Sequence, residues 1–187
     1  MKNEFELISK LLEMRSLHSD ERVLVPAGDD ASVIQLGGSL LAISVDAFFE
    51  GVHFDLAYST PEQAGIRALE ASCSDIIAVG GRPAWAWVSL CVKPSTPESC
   101  IEGMYTGMNQ VAERLQVTIQ GGETVSTDAA FGLSVTVLGL VTERERISSR
   151  AGAKPGDLVY VSGPLGASDL GLKLLQNKEE GFESLKA

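Results

Sequence analysis

Residues 28–46 read Gly28-Asp29-Asp30-Ala31-Ser32-Val33-Ile34-Gln35-Leu36-Gly37-Gly38-Ser39-Leu40-Leu41-Ala42-Ile43-Ser44-Val45-Asp46. Two apolar runs flank a Gly-Gly pair, the signal of a two-residue hairpin. We expect strands over 32–36 and 40–48. Alternation places Leu41, Ile43 and Val45 on one face of the return strand and Ser44 and Asp46 on the other. The hairpin therefore turns Ser44 and Asp46 toward the Asp29-Asp30 turn. Carboxylates where a turn meets a buried strand are costly unless paired or bound to a cation. Hard divalent cations prefer such ligands, and Mg²⁺ usually reaches a protein through one or two carboxylates plus substrate phosphates. On its own, an Asp-Asp turn is more often an Asx-turn or a helix cap. Asp75 and Glu123 occupy similar settings, and the four sites together favour metal ligation.

Working outward, residues 4–14 have the spacing of a short amphipathic helix, with Phe5, Ile8, Leu11 and Leu12 on one side. Residues 17–21 read as a polar break, and 23–25 as a short extended piece. His53, in the loop 50–54, is either a solvent-facing histidine or a ligand for a polar substrate group. Thr60-Pro61-Glu62-Gln63 is a capping box with proline in the first turn, and opens a helix. Leu69, Cys73, Ile76, Ile77 and Gly80 form its expected apolar stripe. Asp75 sits near the C-terminal end of that helix, where the dipole disfavours an unpaired anion. A compensating group is expected there.

A strand is expected over 84–92, with Trp85 and Trp87 on one face as packing groups. The next helix opens at Thr96-Pro97-Glu98 and buries Ile101, Met104, Met108, Val111 and Leu115. Tyr105 lies beside that stripe, so packing is its default role. A short strand, 117–120, runs into the turn Gly121-Gly122-Glu123-Thr124, where glycines permit close backbone approach to a ligand. A long strand follows over 131–141. Residues 142–150 read as a charged surface connection containing Arg144, Arg146 and Arg150. A further strand is expected over 158–162, then a Gly-rich turn that can hold a phosphate at the start of a helix over 167–176. That turn lacks the Lys-Ser/Thr of a P-loop. Residues 177–187 read as a polar, frayed tail.

The chain has 187 residues, enough for one domain or one and a fraction. The expected fold is α+β: a mostly antiparallel sheet with helices on one face. Fifteen basic against 25 acidic residues give a formal charge of −10. That balance argues against nonspecific binding to nucleic acid or anionic lipid, but metal ions can reverse a site's sign locally. Cys73, Cys91 and Cys100 lack CxxC spacing and suggest reduced thiols in a cytoplasmic protein. No apolar run is long enough to span a bilayer, and the N-terminus lacks the layout of a signal peptide.

The sequence resembles the thiamine-monophosphate kinase family. That family shares a superfamily with aminoimidazole ribonucleotide synthetase, selenophosphate synthetase and a hydrogenase-maturation dehydratase. The matching pieces, in the family's order, are 28–31, Ser44-Val45-Asp46, Glu50-Gly51-Val52-His53-Phe54, 74–80, Gly121-Gly122-Glu123-Thr124, 150–157 and 162–166. The Glu50–Phe54 piece points to the thiamine-phosphate branch.

The resemblance implies ATP-dependent phosphorylation of thiamine monophosphate to thiamine diphosphate in a cytoplasmic homodimer whose N-terminal sheets pair into a barrel. It places Asp30, Ser44, Asp46, Asp75 and Glu123 at magnesium positions, with Asp29 adjacent, as ligand or orienting group. Tyr105, Gly121, Gly122, Glu123 and Arg150 fall at ATP positions, Arg150 also as a charge stabiliser. His53 falls at a thiamine-phosphate contact. It also implies a metal- and ATP-binding domain over 1–150, with 151–187 starting an incomplete α/β second domain. Glu123 stands where the family usually has Asp, Ala47-Phe48 where it has Thr-Leu, and Ser72 where it has Asn. Two other readings remain: another enzyme of the superfamily, or a catalytically degenerate dimer that binds nucleotide or metal.

Overall fold

A computed structural model describes residues 3–14 and 20–177. The expected polar break over 17–19 and the tail from 178 onward lie outside the described residues. The elements in order are α1 (Glu4–Met14), β1 (Val23–Val25), β2 (Ser32–Leu36), β3 (Ser39–Phe49), α2 (Pro61–Ala78), β4 (Arg82–Val92), α3 (Glu98–Leu115), β5 (Thr118–Ser126), β6 (Gly132–Val141) and α4 (Ala167–Asn177). Single 3-10 turns occupy Arg144–Arg146 and Arg150–Gly152.

The sheet has six strands in the order β1-β2-β3-β6-β4-β5. Neighbours are antiparallel except β4 and β5, which run parallel and are joined through α3. The sheet is therefore mixed. Gly37 takes φ +58° at the hairpin between β2 and β3, a conformation that costs other residues more. Long β3 pairs with β6 from Leu40↔Val141 to Phe49↔Gly132.

Alternation gives the sheet two apolar faces of different fate. On one, Ala42, Phe48, Ala86, Val88, Leu133, Val135 and Val137 are buried beneath the helices. α2 packs across β3, β6 and β4, and α3 packs on α2. Leu69 and Ile76 from α2 and Met104 and Met108 from α3 fill this layer. Each such side chain contributes about 1.5–3 kcal/mol relative to exposure. Glycines set the helix spacing: a Cβ on Gly65 would lie 2.0 Å from the Met104 carbonyl oxygen, and one on Gly107 2.0 Å from that of Glu62. The Thr60–Gln63 capping box forms as the sequence predicts.

The second face carries Leu41, Ile43, Val45, Trp85 and Trp87, and no helix among the described residues covers it. Val45 is 63% exposed. The grouping of β3 side chains agrees with the alternation, but the helix-covered side is the one bearing Ser44.

Four expectations are corrected. Ile77 belongs outside the buried stripe of α2 and is 54% exposed, while Ala64, Ala68 and Ser72 join the stripe. Small residues let α2 sit low on the sheet, so its contact face is shifted from the bulky one. Residues 121–124 do not form a turn but continue β5, because the parallel partner β4 supplies hydrogen bonds along the whole run. Residues 158–162 form no strand; Leu158, Val159, Tyr160 and Val161 are exposed and have no strand to pair with among the described residues. The helix α1 forms, but Phe5, Ile8 and Leu11 are exposed, and Leu12 approaches the body near Gly28.

Candidate functional site

β3 delivers Ser44 and Asp46 to the edge of the helix-covered face, and the last turns of α2 deliver Asp75. The Ser44 hydroxyl donates to Oδ2 of Asp75 at 2.7 Å. Burial raises the Asp75 pKa above the ordinary carboxylate value, and the charges of Asp46 and Asp30 push the same way. The Ser44 hydrogen bond and the Arg150 charge oppose that shift. These two groups are the compensation that an anion at a helix C-terminus requires. Asp46 is fixed through its backbone, whose carbonyl accepts from the Ser134 hydroxyl at 2.8 Å.

Arg150 reaches the site from the far end of the chain. The guanidinium donates to Oδ1 of Asp30 at 2.5 Å, and the backbone N–H of Arg150 donates to Oδ2 of Asp29 at 3.0 Å. The other Asp29 oxygen accepts from the Asp30 N–H at 2.9 Å. Asp29 thus orients the turn, while Asp30 presents its carboxylate to Arg150. The segment before Arg150 is held against the end of α2: Ser148 N–H donates to the Val79 carbonyl at 3.2 Å. Gly80, at φ +84°, makes room for it, since a Cβ there would lie 2.0 Å from the Arg146 carbonyl oxygen.

An open cleft of about 840 Å³ runs between the end of β3 and α2. Asp46, Phe48, His53, Arg67 and Asp75 are among the residues on its walls. His53 Nδ1 accepts from the Phe49 N–H at 3.1 Å. That bond makes Nε2 the protonated nitrogen and the side chain a hydrogen-bond donor. Its ring meets Phe48 edge-on at 5.6 Å.

Glu123 is not brought to this group. Register aligns Asp46 with Val135, Val88 and Gly122, and aligns Ala47 with Ser134, Ser89 and Glu123. Gly122 therefore shares the row of Asp46, while Glu123 is one residue over, on the opposite face. Three strand spacings, about 14 Å, also separate β5 from β3. The carboxylate of Glu123 accepts from the Thr124 N–H at 3.1 Å. Gly122 has a packing role: a Cβ there would sit 1.6 Å from the Val88 carbonyl oxygen. Gly121 precedes it in β5, with open space where a Cβ would be. Tyr105 is half-buried on α3 against the core, away from the cleft walls, and burial pushes its phenol upward. Among the described residues no three His, Cys, Asp or Glu side chains are arranged to hold one metal ion. The oxygen donors at Asp30, Asp46 and Asp75 suit Mg²⁺ taken with phosphate ligands, not a closed protein cage.

Arg67 was not singled out from the sequence. It lies on the α2 stripe of Gln63, Glu70 and Ser74, a helical spacing that leads to the residue beside Asp75.

Sheet order, the two-helix layer and the carboxylate-lined cleft define the class. Residues 28–141 match the family described as AIR synthase related protein, N-terminal domain, and the chain belongs to that family. Within it, the chain is 41% identical over 174 residues to the thiamine-monophosphate kinase of Bacillus subtilis (strain 168), covering 92% of this chain and 53% of that protein. It is 36% identical over 178 residues to the thiamine-monophosphate kinase of Aquifex aeolicus (strain VF5), covering 95% and 53%. A solved structure described as AaThiL complexed with AMPPCP and TMP superposes with a TM-score of 0.80 at 35% identity, covering 96% of this chain and 53% of that one. The chain spans about half the length of the curated relatives it matches.

Proposed function

We propose that the complete gene product transfers the γ-phosphoryl group of ATP to thiamine monophosphate, giving thiamine diphosphate. The observation that carries this reading is the juxtaposition of Asp30, Asp46, Asp75 and Arg150 beside an open cleft. The names of the similar proteins, and the AMPPCP and TMP held by one of them, support the choice of co-substrate and acceptor. The acceptor oxygen belongs to a phosphate that is already ionised, so no strong general base is required. The obstacle is repulsion between two anions.

Magnesium ions, held by Asp30, Asp46 and Asp75 with Ser44 and Asp29 in support, would supply charge neutralisation at the transferring group. Arg150 adds a fixed positive charge there, and His53 donates through Nε2 to the acceptor. We assign Tyr105, Gly121, Gly122 and Glu123 to the nucleotide by the resemblance. We further propose a homodimer in which the uncovered sheet faces pair into a barrel. Residues 1–150 make up the metal and nucleotide domain, and 151–187 begin a second one. A cytoplasmic setting accords with the free thiols of Cys73, Cys91 and Cys100.

The degenerate binding module stands as the second reading, favoured by the separation of Glu123 from the three aspartates. The deciding assay measures thiamine diphosphate formed from ATP, Mg²⁺ and thiamine monophosphate, comparing residues 1–187 with the complete product. We expect turnover by the complete product and at most slow turnover by 1–187. ATP binding without product formation by either selects the degenerate module.

A further inference from the structure

The cleft has a charge pattern that the carboxylates alone do not explain. Asp46 and Asp75 stand at one end of it, and an incoming phosphate monoester is repelled there. Arg67 stands on the same wall, on α2, eight residues before Asp75. That separation is about 12 Å along the helix axis. Arg67 is exposed and makes no hydrogen bond or ion pair among the described residues. The acid best placed to neutralise it is Glu70, one turn on along the same stripe. Glu70 is taken instead by Arg114 of α3, in an ion pair that ties the two helices together. Arg22, Arg114, Arg146 and Arg150 have carboxylate partners, whereas Arg67, Arg82 and Arg144 form no ion pair among the described residues, and of these three Arg67 is the one on the cleft wall. A surface arginine without a partner is by default a solvated group; its place on the wall of a cleft that His53 also lines distinguishes this one.

We propose that Arg67 holds the phosphate of the acceptor, gripping its non-reacting oxygens and leaving one free to face the carboxylate end. Guanidinium suits this task because its planar fork matches two phosphate oxygens at once. Glu70 is a positioning residue only in a negative sense: bound to Arg114, it leaves Arg67 its full charge. The inference rests on the acceptor proposed above, and the test separates the two.

The test measures binding of thiamine monophosphate and of thiamine to the complete gene product by calorimetry. It uses the native protein, Arg67→Gln and Arg67→Lys, alongside assays for thiamine diphosphate. The native protein should prefer the phosphorylated ligand. Arg67→Gln should weaken thiamine monophosphate binding about tenfold to a hundredfold, the range for a charged hydrogen-bonding group, and leave thiamine binding unchanged. Arg67→Lys should fall between, restoring charge but not the fork. Affinity for ATP and thermal stability should not move in either variant, as they would if the role were structural. Equal binding of both ligands by the native protein, or an undiminished preference in Arg67→Gln, overturns the proposal. An Arg67-dependent preference without product formation supports the phosphate subsite while overturning the kinase reading.

Discussion

Ser44 of β3 and Asp75 of α2 share a 2.7 Å hydrogen bond across the boundary between sheet and helix layer. Only 6% of Ser44 is exposed, so its hydroxyl has little water to turn to. The bond fixes one oxygen of Asp75 inward and leaves the other for the cleft.

Asp75→Asn should stabilise the protein against heat in metal-free buffer at neutral pH. Burial, Asp46 and Asp30 raise the Asp75 pKa from 3.8, which means the folded state disfavours its charged form. The charge therefore adds no penalty below the unfolded value and destabilises the fold as pH rises through the folded value. The advantage of asparagine should be absent below about pH 3.8 and appear above it, read as a difference in melting temperature across a pH series. The same variant should weaken Mg²⁺-dependent ATP binding.

Gly80→Ala should loosen the segment that carries Arg150. Alanine must adopt φ +84° and place a methyl against the Arg146 carbonyl. We expect a loss of at least about 1 kcal/mol and faster amide exchange over 146–150. Unchanged exchange would mean that this contact does not hold Arg150 in place.

Gly122→Ala tests packing against ligand contact. A methyl cannot fit beside the Val88 carbonyl without parting β4 from β5. The variant should lose about 1–3 kcal/mol of stability in denaturant titration even with no nucleotide present. Native stability with weakened ATP binding would overturn the packing role and leave the glycine its nucleotide contact alone.

Val45→Glu should convert a dimer to a monomer while preserving the circular dichroism spectrum. Val45 stands on the uncovered sheet face, and its neighbours across the strands include Thr136. Light scattering at micromolar concentration reads the result. A monomeric native protein would remove the barrel from the proposal.

Much of the fold was legible because local signals agreed with tertiary ones. Gly37-Gly38, the Thr60–Gln63 box and the Met104–Met108–Val111 stripe each specify an element that the packing then uses. The extent of β5 was not legible. Gly121 and Gly122 carry a turn signal, and only the distant strand β4, with Val88 pressed against Gly122, makes extended backbone the better solution. The 158–162 run failed in the opposite way: its residues favour a strand, but no partner edge is present among the described residues. At the site, alternation along β3 correctly grouped Ser44 with Asp46. The position of Glu123 could not be read, because it depends on a register accumulated across four strands. Arg67 was visible only as helix spacing, and its lack of a partner depends on Arg114 from another helix.

The Leu158–Val161 run has a practical meaning for anyone handling residues 1–187 on their own. Val159 is 94% exposed, and the four residues carry no charge. Uncharged, β-prone backbone left in solvent recruits similar segments from other molecules. Cloudiness on concentration should therefore begin here rather than at the carboxylate cleft. A lysine in place of Val159 is the first change to make before crystallisation or storage.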